Sequence, residues 1–141
     1  MSVFCWPLRV YYEDTDCGGV VYHASYLKFM ERARTEWLRG LGYEQDNLVR
    51  DQRVIFAVQA MDIAFVKPAR FNERLTATAE PREVRAASLK FQQSVVRPSE
   101  TGDDELLVKA SVRVACLCAD RLKPIAIPAT LHQVLKRASR S

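Results

Sequence analysis

The sequence lacks the long apolar runs and the leader that would direct a chain into or across a membrane. No stretch approaches the ~18 consecutive apolar residues of a transmembrane helix. Residues 1–7 have no basic region and too few apolar residues for a signal peptide, so we expect a cytoplasmic protein. Repeats, low-complexity segments and linkers are also missing. With 141 residues, 48% of them hydrophobic, the chain is expected to form one domain, 1–141, around its own core.

Residues that commonly bind metals are scarce. The sequence has two histidines and four cysteines. Cys116 and Cys118 fall in one apparent strand, and they lack the two-residue gap and the distant partner pair of a zinc site. We therefore predict no metal site, and we interpret the pair as small apolar residues in a reducing compartment.

Charge of one sign is not concentrated in any part of the chain. The 21 Lys and Arg residues are only a small excess over the 17 Asp and Glu residues, with a formal net charge of +4. A nucleic-acid-binding protein usually shows a dense basic patch interleaved with aromatic residues, and here the basic residues are scattered among acidic ones. The composition therefore argues against a nucleic-acid partner. It suits an anionic ligand such as a phosphorylated cofactor without requiring one.

Hydrophobic spacing predicts an α+β fold. Apolar residues at intervals of three and four predict one long helix over residues 24–39. Segments that alternate apolar and polar residues predict four strands: 8–13, 75–80, 89–95 and 106–116. Residues 54–66 carry apolar groups on both faces, which predicts a long strand in the middle of the sheet. Residues 43–53 form a loop or a short helix, and residues 128–138 a helix or an extended tail. Because short turns join consecutive strands, we expect a mostly antiparallel sheet curved around the single helix.

The segment before the predicted helix, residues 12–26, reads YEDTDCGGVVYHASY and is the most informative part of the chain. The first four N–H groups of a helix have no partner within the helix, and a Ser, Thr, Asp or Asn side chain usually binds one of them. None of residues 21–24 is a good cap. An uncapped helix start beside Gly18 and Gly19 is a candidate site for a carbonyl oxygen or an anion, because the helix end is partly positive.

Asp16 lies just upstream, within reach of the same point if the glycine turn folds the loop back. A carboxylate there can attack a thioester carbonyl or deprotonate a water that does so, and His23 can hydrogen-bond the water, the acyl group or Asp16. Each residue also has an ordinary interpretation: Asp16 and Asp14 as turn-forming residues, and His23 as a packing or capping residue. A Cys17–His23 nucleophilic pair is a further alternative, although no third group that would orient the histidine is apparent.

Residues 10–34, VYYEDTDCGGVVYHASYLKFMERAR, resemble the signature of the hotdog-fold acyl-CoA thioesterases. The resemblance is greatest to the branch associated with the Tol–Pal envelope system, within the 4-hydroxybenzoyl-CoA thioesterase-like superfamily. The motif consists of a Tyr, two acids around Thr15, a Gly pair, Val-Val-Tyr-His and a second Tyr three residues on. The later strands match that family in order and length, so the resemblance covers nearly the whole chain.

The resemblance implies a fold and an assembly. The fold is an antiparallel sheet of five or six strands wrapped around one long helix. Two subunits join edge to edge into one continuous sheet, dimers commonly pair into tetramers, and the active sites lie at the subunit interface. The implied reaction is hydrolysis of acyl-CoA, with a short-chain aliphatic or an aromatic acyl group, to free acid and CoA. Acyl carrier protein is a possible alternative carrier, and neither a cofactor nor a metal is expected.

The resemblance also implies which residues form the site. The family's catalytic carboxylate falls on Asp16, and its oxyanion-binding N–H group falls on His23, whose side chain marks this branch and assists. Motif residues are expected to contact the substrate: Tyr12, Gly19, Val20 and Tyr22. Basic residues are candidates for binding the CoA phosphates: Lys67, Arg70, Arg85 and Lys90. Cys17 stands where small residues such as Ala are common in the family.

Two other functions stay open. One is a hotdog dehydratase or hydratase, which the position of the acid before the helix and the lack of a Gly- and Pro-rich block around a histidine disfavour. The other is a protein that binds acyl-CoA or acyl carrier protein as a scaffold in envelope or phospholipid metabolism without significant turnover. Intact Asp16 and His23 argue against that loss of activity.

Overall fold

A computed structural model describes residues 3–140 of the chain. The strands are β1 (Phe4–Arg9), β2 (Val54–Phe65), β3 (Arg74–Arg82), β4 (Ser88–Arg97) and β5 (Glu105–Cys118). The helices are α1 (Ser25–Gly40), α2 (Gln45–Gln52) and α3 (Ala129–Arg140), and a short 3-10 helix spans Tyr12–Asp14. The strands form one five-stranded antiparallel sheet in the order β1-β3-β4-β5-β2. This arrangement confirms the predicted α+β fold with one long helix packed on an antiparallel sheet.

The core lies between α1 and one face of the sheet. The predicted stripe of α1 is buried at Tyr26, Met30, Ala33 and Trp37, and the Trp37 ring packs edge-on against Phe91 of β4 with centroids 5.3 Å apart. Burying such a stripe against apolar strand residues is the main source of stability for a helix of this kind.

One polar residue on the inner face of β4 connects the sheet to α1. The Gln93 side chain, 1% exposed, donates from Nε2 to the carbonyl oxygens of Met30 at 3.0 Å and Thr78 at 2.9 Å. Its Oε1 accepts a hydrogen bond from Nη1 of Arg34 at 2.9 Å. The buried amide therefore has partners on both layers, as a buried polar group requires.

The structure decides both segments for which the sequence left two interpretations open. Residues 43–53 contain α2, which ends at Arg53 in the left-handed region with φ 57°. The C-terminal segment is α3, whose Leu131 and Leu135 side chains join the core. Within residues 3–140, no helix combines the length and the hydrophobicity needed to cross a membrane.

The first strand differs from the prediction of 8–13, because β1 runs over Phe4–Arg9 and the chain then turns into the 3-10 helix. The cause is the Asp14 side chain, whose Oδ2 accepts the Tyr11 N–H at 2.8 Å while the Asp14 N–H donates to the Tyr11 carbonyl at 3.0 Å. A Pro in the middle of a central strand removes a ladder hydrogen bond, and Pro7 avoids this cost because it lies on the edge strand β1.

The prediction that residues 54–66 form a strand in the middle of the sheet is wrong for the single chain. β2 is an edge strand that pairs only with β5 among the described residues, and most of its residues are exposed or half-buried. Val58 is 48% exposed and Phe65 is 50% exposed. Apolar side chains on both faces indicate that β2 has more to bury than one chain covers.

Candidate active site

Asp16 forms a tight turn and keeps an exposed carboxylate. Its Oδ1 accepts the Gly18 N–H at 2.8 Å, and its carbonyl accepts the Gly19 N–H at 3.1 Å. Gly19 has φ +82°, and a Cβ on Gly18 would lie only 3.1 Å from Oδ1 of Asp16, so the turn depends on both glycines. Asp16 therefore forms the turn through Oδ1 and still keeps Oδ2 available for reaction, because Oδ2 forms no hydrogen bond with any other described residue.

The glycine turn folds the loop back onto the sheet, as the sequence suggested. The Asp16 N–H donates to the Val20 carbonyl at 2.9 Å, and Thr15 and Val21 form an isolated β-bridge. The Val21 N–H then donates to the Ala69 carbonyl at 2.8 Å. These contacts fix the backbone of the loop that connects Asp16 to the start of α1.

The start of α1 has backbone N–H groups without partners. The Ser25 N–H donates to the Tyr22 carbonyl at 2.8 Å and closes a turn with His23 and Ala24 at its centre. Ala24, the N-cap residue, has φ −69° and ψ −21°, and no side chain of residues 3–140 caps the helix. The N–H groups of His23 and Ala24 donate to no described residue. They leave a pair of donors at the positive end of the helix.

Aromatic rings surround this helix start. His23, Tyr26 and Phe65 line a recess together with Val66 and Pro68 at the end of β2. The His23 and Phe65 ring centroids are 6.1 Å apart, and those of Tyr26 and Phe65 are 5.9 Å apart. The His23 ring forms no hydrogen bond with Asp16 or with another described residue. The recess can therefore accept an apolar group beside the unpaired N–H donors.

Tyr26 is a functional candidate that the sequence analysis did not name among the site residues. Its hydroxyl oxygen accepts the Ala69 N–H at 3.1 Å, and burial raises the pKa of the Tyr26 phenol. The phenol therefore keeps its proton at neutral pH. Phe65, Val66 and Pro68 were also missed, because they lie some forty residues after the motif and reach the recess only through the fold.

Tyr12 and Tyr22, which were also predicted to contact the substrate, are exposed. Tyr12 is 82% exposed, and its ring stands edge-on to Phe71 with centroids 5.8 Å apart. The exposed Tyr22 ring lies 4.5 Å from the His23 ring, and the Tyr22 N–H donates to the Asp14 carbonyl at 2.8 Å. Exposed aromatic groups concentrated in one region are typical of a surface that meets a ligand or a partner.

The four basic candidates fall into two groups at opposite ends of β3. Lys67 lines the recess and forms an ion pair with Glu105 at 2.8 Å, and Arg70 forms an isolated bridge with Val20 of the motif. The Arg70 guanidinium is exposed and forms no direct ion pair with a described residue.

Arg85 and Lys90 lie beyond the other end of β3, where both contact Glu83, at 3.4 and 3.3 Å. A nine-residue strand is about 30 Å long, so one chain does not bring them to Asp16.

Cys17 is exposed beside Asp16, but the structure gives the cysteine alternative no geometric support. No hydrogen bond joins Cys17 to His23 within the described part of the chain. Cys116 is buried, and its burial raises the pKa of that thiol to about 11. Among residues 3–140, no cluster of three or more His, Cys, Asp or Glu side chains is placed to hold a metal ion.

The chain matches the model of the thioesterase superfamily over residues 18–103. It is 45% identical over 136 residues to the acyl-CoA thioester hydrolase YbgC of Escherichia coli O157:H7, covering 96% of this chain and 98% of that relative. It is 44% identical over 125 residues to the acyl-CoA thioesterase YbgC of Haemophilus influenzae, covering 89% and 88% respectively. The crystal structure of a probable thioesterase from Bartonella henselae matches with a TM-score of 0.82 at 33% identity, covering 90% of this chain and 100% of that one.

Proposed function

The chain belongs to the thioesterase superfamily, and from that membership we propose that it hydrolyses the thioester bond of acyl-CoA to a free acid and CoA. Membership confirms the resemblance drawn from residues 10–34 and the hotdog fold that it implied. The observation that carries the proposal is the exposed Asp16 carboxylate, held by a glycine turn just before a helix start with unpaired N–H groups.

In the proposed reaction, the thioester carbonyl oxygen lies at the start of α1 and accepts hydrogen bonds from the N–H groups of His23 and Ala24. These donors and the helix end stabilise the negative charge that develops on that oxygen. Asp16 either takes a proton from the water that attacks the carbonyl carbon or attacks that carbon itself. The C–S bond then breaks, and CoA leaves as a thiolate, which needs little protonation. If Asp16 is the nucleophile, a water then hydrolyses the acyl–Asp16 anhydride, which releases the free acid and regenerates the carboxylate.

The two roles of Asp16 differ in whether the carboxylate becomes acylated. A single turnover in oxygen-18 water, followed by mass spectrometry of the peptide that contains Asp16, separates them. Label in Asp16, or a trapped acyl–Asp16 anhydride, supports the nucleophile. Label in the free acid alone, together with no anhydride in the trapping experiment, supports the general base.

A panel of acyl-CoAs tests the function itself. The panel runs from acetyl-CoA to palmitoyl-CoA and adds 4-hydroxybenzoyl-CoA and phenylacetyl-CoA. A chromogenic disulfide reports free thiol, corrected for the exposed thiols of Cys5 and Cys17. We expect release from short-chain aliphatic or aromatic substrates, which suit the aromatic recess. Binding without thiol release would favour the scaffold, and an absorbance change with an enoyl-CoA would favour the dehydratase.

Arg70 is the proposed contact for the CoA phosphates. It is exposed next to the motif, whereas Lys67 is paired with Glu105, and Arg85 and Lys90 lie at the other end of β3. We expect Arg70→Gln to raise KM roughly three- to tenfold with little change in kcat, because an exposed charge-assisted contact contributes only modestly to binding. Arg85→Gln is the matched control in steady-state kinetics. A larger KM increase in Arg85→Gln would instead assign the phosphates to the far end of the sheet.

The proposed site is completed by a second copy of the chain, joined through the free edge of β2. The twelve residues of β2 include one charged residue, Asp62, and no proline or lysine, which are common means of keeping an edge strand from pairing. Pairing of two β2 strands would extend the sheet and place β2 in its middle, which accounts for apolar groups on both faces. The tetramer, the Tol–Pal association and acyl carrier protein as a carrier stay predictions from the resemblance, and the cytoplasmic location stays a prediction from the sequence.

A lysine on the β2 edge is expected to weaken the proposed dimer. Val58 is 48% exposed on β2, and Val58→Lys would place a charge where the partner strand packs. We expect sedimentation velocity to show a shift toward monomer and kcat to fall with the dimer fraction. Val3→Lys is the control, because Val3 is also exposed (40%) and lies next to the opposite edge strand β1. An unchanged dimer in Val58→Lys, or full activity in its monomer, would contradict the interface.

A further inference from the structure

The segment between β2 and β3, residues 66–73, is the surface on which the Asp16 loop rests, and we call it the support segment. The carbonyl of Ala69 accepts the Val21 N–H at 2.8 Å, and the N–H of Ala69 donates to the Tyr26 hydroxyl at 3.1 Å. Arg70, the next residue of the segment, forms an isolated β-bridge with Val20. These contacts lie between the Asp16 turn and the start of α1, so the support segment sets their separation.

Arg97, at the end of β4, is one of the side chains that hold the support segment in place, beside Arg9, whose Nη1 donates to the Asn72 carbonyl at 3.0 Å. Nη2 of Arg97 donates to the Pro68 carbonyl at 3.0 Å. Nε and Nη2 bind the two carboxylate oxygens of Glu73 at 2.8 and 3.0 Å, and Nη1 contacts the Glu105 carboxylate. This guanidinium therefore uses its fork of donors on three acceptors at once, which a lysine ammonium on a flexible stem does not reproduce.

The carboxylates of Glu73 and Glu105, which bind Arg97, also bind two further residues of the support segment. Oε1 of Glu73 accepts the Arg70 N–H at 2.6 Å, and Oε2 of Glu105 binds Nζ of Lys67 at 2.8 Å. Hydrogen bonding from Arg97 lowers the pKa of Glu73. The pKa of Glu105 is lowered mainly by hydrogen bonding from Lys67 and next by hydrogen bonding from Arg97. Both carboxylates are thus ionised at neutral pH, and the ion pairs are lost only as pH falls through the range where these glutamates titrate.

We propose that Arg97 is a positioning residue for thioester hydrolysis, which holds the support segment so that Asp16 and the helix start keep their separation. The inference rests on the proposed function, because it concerns the same site. Arg97 is not a lining residue of the recess, although it hydrogen-bonds the backbone of Pro68, which is. Among the described residues, Arg97 forms no hydrogen bond with the motif. It acts through Pro68 and Glu73 on the backbone of Ala69 and Arg70.

The test compares Arg97→Gln, Arg97→Lys and wild type on the acyl-CoA that wild type prefers. We expect Arg97→Gln to lower kcat at least roughly tenfold, because a displacement near 1 Å from a distant mutation can cost about 100-fold. KM should change less than about threefold, since no substrate contact is removed. Arg97→Lys should recover part of the lost kcat, because it keeps the charge but not the forked contact with Glu73.

Arg39→Gln is the matched control. Arg39 also lies between two glutamates, Glu36 and Glu44, but at the end of α1 far from the Asp16 loop. Its kcat is expected to match wild type, and all rates are measured well below each variant's melting temperature. Glu73→Gln keeps the size of the side chain and provides a second test if Arg97→Gln folds poorly. The combined loss in Arg97→Gln/Glu73→Gln should stay close to the larger single loss, because both act through one contact.

The outcomes separate this inference from the proposed function. Wild-type kcat in folded Arg97→Gln, or in Glu73→Gln if the first variant does not fold, would overturn the positioning role while an inactive Asp16→Asn leaves the proposed function standing. A KM increase larger than the kcat decrease would make Arg97 a substrate-binding residue and would also overturn it. Full activity in Asp16→Asn would instead remove the chemical role of Asp16, and wild type that releases thiol from no acyl-CoA would remove the proposed function itself.

Discussion

Asp16→Asn is expected to lower kcat for acyl-CoA hydrolysis at least ~100- to 1000-fold, the range seen when one preorganised oxyanion donor is lost. An amide neither removes a proton from water nor forms an anhydride with the acyl group, so both proposed roles of Asp16 disappear. The substitution should leave the loop intact. The Asn Oδ1 can still accept the Gly18 N–H that Asp16 accepts at 2.8 Å, and Asn favours such turns.

The measurement is free-thiol release from the preferred acyl-CoA, with circular dichroism and melting temperature as evidence of an unchanged fold. Glu13→Gln is the matched control, because Glu13 is an exposed acid three residues upstream in the same loop. Its activity should equal that of wild type. Retention of more than about a tenth of the activity by Asp16→Asn would contradict a direct chemical role for the carboxylate.

His23→Pro is expected to cost roughly 100- to 1000-fold in kcat, because it deletes an N–H proposed to bind the oxyanion. The site suits proline. His23 is the second residue of the turn closed by the Ser25 N–H and the Tyr22 carbonyl, and proline is favoured at that position of a type I turn. The His23 N–H donates to no described residue, so removing it breaks no hydrogen bond of the described fold.

His23→Ala separates the backbone contribution from that of the imidazole. Alanine keeps the N–H and removes the ring, so its loss of kcat measures the assistance that the side chain gives. We expect His23→Ala to lose clearly less activity than His23→Pro at an equal melting temperature. Equal losses in the two variants would assign the whole effect to the imidazole and would remove the oxyanion role of this N–H.

The core of the candidate site could be predicted from sequence because its rules are local. Asp16, Gly18, Gly19 and His23 lie within eight positions of each other. Turn preference, positive φ at glycine and the lack of a capping side chain each depend on neighbours in the chain. The helix and the later strands followed from hydrophobic period for the same reason.

The parts that the sequence did not predict depend on contacts between distant segments. Phe65 and Arg97 reach the site through the strand order of the sheet, which no local pattern encodes. The early end of β1 follows from one hydrogen bond between Asp14 and Tyr11. The sequence analysis placed β2 in the middle of the sheet, whereas it is an edge strand. Apolar residues on both faces of a strand indicate how much of its surface has to be buried, but they do not indicate whether the same chain buries it.

The inward glutamine of β4 has a consequence for how substrate enters. Gln93 binds the Met30 carbonyl and the Arg34 guanidinium, one turn apart on α1, as well as the Thr78 carbonyl on β3. Sliding or rotating the helix would leave these buried polar groups without hydrogen-bond partners, at a free-energy cost of about 1–3 kcal/mol for each group. Helix and sheet therefore move as one rigid body, and an acyl chain has to enter without displacing α1 from β4. Hydrogen exchange should accordingly be slower along the middle of α1 than along its uncapped first turn.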